Sequence, residues 1–155
     1  MRKRLMILLG VTGLLTVSPV TKLSANQNLS ASASLKAISA GRLNTQVRLK
    51  SGSFIGVAHS TSGTATIFKQ DDQRRLELGN NFSTDSGPDL FVLLHRSSNP
   101  ESYRSEDYLS LGRLQQIRGS QRYLIPADAN LENYNSVVIW CRRFNVTFGY
   151  ATLSG

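Results

Sequence analysis

One cysteine (Cys141), one tryptophan (Trp140) and two histidines (His59 and His95) in 155 residues leave few side chains able to do redox, metal or covalent chemistry. A single cysteine excludes an intrachain disulfide, so the folded part must hold together by its core alone. The chain has no serine elbow, no histidine pair at helical spacing and no phosphate-cradling glycine loop. Nor does spacing place two carboxylates in one cleft. With no recognisable catalytic set, the expectation is a protein that is not an enzyme. The longest apolar run, 5–17, is too short to span a bilayer comfortably, so no membrane span is expected in the mature chain.

What is present begins with an export signal. Arg2, Lys3 and Arg4 precede that apolar run, and small residues follow as far as Ala25, the three parts of a secretory signal over 1–25. Ala31-Ser32-Ala33 offers a second small-x-small cleavage point. Lipid attachment after the signal would need a cysteine there, and Cys141 is far away. Residues 26–49, rich in Ser, Ala and Asn, bury too little apolar surface to offset chain entropy and read as a linker. The folded domain is expected over 50–155, exported to the bacterial periplasm or the extracellular space.

The basic balance belongs largely to the targeting segment. Removing Arg2, Lys3, Arg4 and Lys22, with no acid beside them, lowers the formal charge from +8 to +4. The remaining arginines form no stripe and alternate with no aromatic platform, which argues against a nucleic-acid partner.

From about Lys50 onward, short apolar runs alternate with turn residues, as in an all-β domain: an antiparallel β-sandwich or a closely related barrel, in a single domain. A hairpin is expected from 54–59 and 64–69 around Ser60-Thr61-Ser62-Gly63. Asp71-Asp72 should turn the chain into 75–78, where leucines alternate with charges. Leu90-Phe91-Val92-Leu93-Leu94 is apolar throughout and should be covered on both faces. Residues 97–108 form a long polar loop with Tyr103 and Tyr108, and 121–125 is a strand stopped by Pro126. Residues 128–134 read as a capped turn or a single helical turn. In the last pair of strands, 137–141 and 144–153, period two sets Phe144, Val146, Phe148 and Tyr150 on one face.

Cys141 shares its face with Val137 and Ile139, which makes it a small buried hydrophobe on one reading. On the other, Arg142 and Arg143 stabilise a reactive thiolate. Trp140 should face the opposite side. A lone thiol holds no stable one-electron couple, so a redox role needs a second component. His59 and His95 could join Cys141 at a metal only if folding gathers them, and no metal is assigned. Asp85-Ser86-Gly87-Pro88-Asp89 reads as a turn whose acids bind backbone amides rather than as a calcium loop.

In this order, Gly52-Ser53-Phe54, His59 with Gly63-Thr64-Ala65, Phe82 followed by Gly87-Pro88-Asp89-Leu90, and Gly119 with Gln121-Arg122-Tyr123 resemble the DM thirteen domain family. Ser136-Val137-Val138-Ile139-Trp140-Cys141 and Phe144-Asn145-Val146-Thr147-Phe148-Gly149 complete the match. Domains of this family occur beside DOMON domains and membrane b-type cytochromes. The resemblance implies a β-sandwich and a role in extracytoplasmic electron transfer centred on Cys141, with a redox protein or membrane cytochrome as partner and the cofactor unknown. The alternative is an envelope or matrix module that binds a glycan or protein through the 97–108 loop.

Overall fold

The computed structural model describes Gly13 and residues 45–155, so the expected signal, Gly13 apart, and most of the expected linker lie outside the described residues. The described chain is all-β. Ten strands run β1 (Val47–Gly56), β2 (Thr61–Ser62), β3 (Thr64–Gln70), β4 (Gln73–Leu78), β5 (Ser83–Thr84), β6 (Leu90–His95), β7 (Tyr108–Arg113), β8 (Gln121–Ile125), β9 (Ser136–Cys141) and β10 (Val146–Thr152). Eight of them form one antiparallel sheet in the order β7-β6-β9-β10-β1-β3-β4-β8, and β2 pairs with β5. β1 starts inside the segment read as linker. It serves two neighbours: Val47 to Ser53 pair with β3, and Phe54 to Gly56 with β10. This division of one strand between two partners curls the sheet into a nearly closed barrel.

The two ends of the sheet, β7 and β8, share no backbone ladder, and two side chains of β8 brace the connection between them. Gln121 Oε1 accepts the N–H groups of Gln115 and Gln116 at 3.1 Å, and its Nε2 donates to Gln116 O at 2.7 Å. The Tyr123 hydroxyl donates to Gln121 Oε1 at 2.7 Å and accepts from Gln115 N at 3.0 Å. These bonds satisfy backbone groups of a connection that has no ladder of its own.

The barrel interior is filled by alternate residues of each strand, among them Ile67, Leu76, Leu78, Val92, Leu94, Val137 and Ile139. β6 is covered on both faces, as its continuous apolar run predicts: Leu90, Val92 and Leu94 point inward, while Leu93 joins Val138 and Trp140 in a second cluster outside. The β3–β4 turn is Asp71-Asp72, both at positive φ (48° and 64°), the geometry of a two-residue hairpin loop. The capped turn is also present, as a single 3-10 turn, Leu131–Asn133, with the Asn130 side chain accepting from Glu132 N at 3.0 Å.

The expected single face of the last strand is corrected. The register slips between Thr147 and Gly149, so Phe148 is an extra residue opposite β9. This bulge keeps Val146 and Phe148 against the interior and sends Tyr150 to the outer cluster. Phe144 falls in the β9–β10 turn and is 64% exposed. Gly149 follows the bulge where a Cβ would lie 2.5 Å from Thr61 Cβ and 2.6 Å from Ile55 O, so only glycine fits.

Candidate functional site

Cys141 ends β9, and the registers of four adjacent strands define its surroundings. It lies opposite Leu90 of β6 on one side and Val146 of β10 on the other, and all three point into the barrel. The residue is fully buried, at 0% exposure. Leu90, its neighbour across the strands, also lines a cleft of about 150 Å³ with Gly87, Pro88, Arg113, Gln115 and Ile117. Leu90 therefore belongs both to the interior row that holds the thiol and to the wall of a solvent-facing cleft.

The next row points outward and contains Arg113, Phe91, Trp140 and Thr147, each opposite its neighbour. Trp140 thus faces away from the interior, as alternation requires, yet it is only 7% exposed. The 97–108 loop covers it. Tyr103 stacks on the indole at 4.9 Å with planes 16° apart, and Tyr108 packs at 5.6 Å, tilted by 49°. The Tyr103 hydroxyl bonds the Thr147 hydroxyl, and the indole N–H donates to Asn145 Oδ1 at 3.2 Å. Burial pushes the Tyr103 phenol above its usual value, and the Thr147 bond offsets part of that rise. The two loop tyrosines are half-buried and have spent ring surface on Trp140, unlike the exposed platforms a glycan would stack on.

The loop is pinned from several sides. His95 is buried, and both ring nitrogens serve the loop: Nδ1 accepts from Ser97 N at 3.0 Å, which leaves the proton on Nε2 to donate to Ser102 O at 2.9 Å. Asp107 accepts from the Ser102 hydroxyl at 2.7 Å and from Arg104 N at 3.1 Å. These bonds, the Ser102 hydroxyl first and Arg104 next, hold its carboxyl down at about 2.

The sequence-level metal candidates are not gathered. His95 pairs with Ser136 at the far end of β9 from Cys141, five residues or about 17 Å along the strand. His59 lies outside the interior, its ring stacked on Phe148 at 3.8 Å and its Nδ1 3.4 Å from Asp85 Oδ2. Among the described residues no three His, Cys, Asp or Glu side chains form a metal-holding group.

The two arginines after Cys141 face outward. Arg142 Nε donates to Asp89 Oδ2 at 2.9 Å, and its guanidinium lies over the Phe91 ring at 4.4 Å. Arg113 reaches Asp89 Oδ1 at 2.7 Å. That oxygen is buried with no well-aligned donor, so the compensation is the guanidinium charge. Asp89 therefore binds two guanidinium groups, where the turn reading expected backbone amides. Only Asp85 follows that reading, accepting Ser60 N–H at 3.1 Å. Arg143 rests over Phe144 at 5.7 Å, a pairing that the β9–β10 turn brings about and that nothing in the sequence pattern marks.

The fold and site define a small antiparallel barrel with one sealed thiol at a strand end, backed by an aromatic stack and flanked by arginines. Residues 53–153 match the family described as Electron transfer DM13, and the chain belongs to that family. Comparison with curated proteins and with solved structures gave no match.

Proposed function

We propose that this domain is an exported electron-transfer module in which Cys141 is the redox residue and a partner supplies the second redox group. The family description supports electron transfer. The observation that carries the role of Cys141 is its position: the chain's one thiol, fully buried at the end of β9 opposite Leu90, a residue that also lines a cleft. A thiol in that position is protected from over-oxidation and reacts when the barrel end opens. With a partner disulfide, the Cys141 thiolate would attack one sulfur and release the other as a thiolate. Two thiols of a separate donor would then free the partner as a dithiol and restore Cys141 while pairing as a disulfide themselves, so that two electrons pass from the donor thiols to the partner disulfide. Arg142 and Arg143 would act at the surface of this end, and Trp140 holds the strand from behind. The basic and apolar residues at 1–25 support export to the periplasm or extracellular space.

The test is to incubate the full chain and Cys141→Ala with a disulfide reagent under native conditions, and to titrate both with haemin, copper and zinc. A mixed disulfide, or a metal or haem complex, that disappears in Cys141→Ala supports the proposal. No native-state reaction and no complex would reduce Cys141 to a packing residue. Mass spectrometry of protein secreted by a bacterial host, showing an N-terminus near Asn26 or Ser34, supports export; an intact Met1 start counts against it.

A further inference from the structure

We infer that the barrel end where β9 stops is the docking surface for an acidic electron-transfer protein, an inference that rests on the electron-transfer reading and adds the kind of partner. Residues 45–155 carry an excess of two basic over acidic side chains. That excess equals the charge of one cluster, in which Arg113, Arg142 and Arg143 stand against the single carboxylate of Asp89. Asp89 ties Arg113 and Arg142 in place, so their cationic faces are held ready and little side-chain entropy is lost on docking. Arg113 is 65% and Arg142 54% exposed despite those bonds. Arg143 has no carboxylate within ion-pair distance among the described residues, and it lies over Phe144, an exposed aromatic ring. Ile117, 41% exposed beside the cleft, adds a second apolar contact.

Cation and apolar contact side by side is the composition of an interface, where arginine and aromatic residues are enriched. Its position matters as much as its charge. Arg142 is the residue after Cys141, about 3.8 Å away along the backbone. A partner seated here sits over the strand end that carries the sealed thiol. Transient redox encounters use small interfaces and charge steering, which a patch of this size supplies.

The experiment titrates isotope-labelled full chain with cytochrome b5, an acidic haem protein, and follows amide chemical shifts. Expected are shifts confined to Arg113 and to the turn from Arg142 to Phe144, weakened about tenfold by Arg143→Glu, which breaks no ion pair, and by raising salt from about 20 to about 200 mM. The basic cytochrome c should give none. Shifts elsewhere, binding that Arg143→Glu leaves unchanged, or attachment of the same cluster to phosphatidylglycerol vesicles with no response to cytochrome b5 would overturn the inference. The Cys141→Ser variant separates the two ideas. Docking that persists in Cys141→Ser while wild type shows no thiol-dependent exchange sinks the electron-transfer role of Cys141 and leaves the surface standing. Exchange without these shifts does the reverse.

Discussion

At the scale of the residue, the cover over Trp140 is the most accessible to experiment, because the chain's single tryptophan reports on it. Tyr103→Ala removes a stacked ring and a hydroxyl contact, and should cost about 3 kcal/mol in denaturant melts with a red shift of the indole emission. Tyr103→Phe keeps the stack and loses only the bond to Thr147, so about 1 kcal/mol is expected with no spectral shift. Asp107 gives the loop a pH dependence of definite sign. Its carboxyl is held at about 2 in the fold against an ordinary value of 3.8. Its stabilising contribution is complete above the ordinary value and is lost as pH falls through about 2. Acid titration should therefore release the loop, seen as indole emission shifting red between about pH 4 and 2, and Asp107→Asn should show the released spectrum at neutral pH. An acid titration in which Asp107→Asn and wild type coincide throughout would remove this carboxylate from the account.

The elements of the barrel differ in how plainly the sequence announces them. β6, β8 and β9 were legible because their neighbours along the chain are turn formers and their patterns are either continuous or strictly alternating. β10 was legible as a strand and misread in its faces, because a bulge adds one residue and shifts the phase of everything after it. Nothing local in Thr147-Phe148-Gly149 marks that insertion. The need for glycine beside it comes from β1 and β2, which leave no room for a Cβ at Gly149, a contact between residues distant along the chain. Gly149→Ala should accordingly cost about 1–3 kcal/mol through overpacking, read as a lowered thermal midpoint. The β3–β4 turn offers the opposite test. Asp72→Gly relieves a positive φ at the loss of an exposed contact with Lys69, and a net gain of about 0.5 kcal/mol is expected. The candidate site followed the same division: Cys141 facing inward and Trp140 outward came from alternation alone, whereas the role of Asp89 and the burial of the loop tyrosines depend on where distant strands meet.

For the whole molecule, closure and access are the two questions. Gln121 and Tyr123 brace the connection between β7 and β8, so Gln121→Ala should strip Gln116 of both its partners, leave Gln115 N–H on the Tyr123 hydroxyl alone and cost about 1–2 kcal/mol. The opposite property, controlled opening, is asked of the end where Leu90 borders both the row of Cys141 and the cleft. If that end gates the thiol, its reaction with a thiol reagent should level off at high reagent concentration, at an opening rate faster than global unfolding. The most direct measurement is this rate in wild type, in Leu90→Ala and in Ile67→Ala, a core truncation of comparable cost on β3. An account in which Leu90 guards a redox thiol expects Leu90→Ala to react at least about tenfold faster than Ile67→Ala at matched stability. Equal rates in the two variants, both tracking global unfolding, would contradict it.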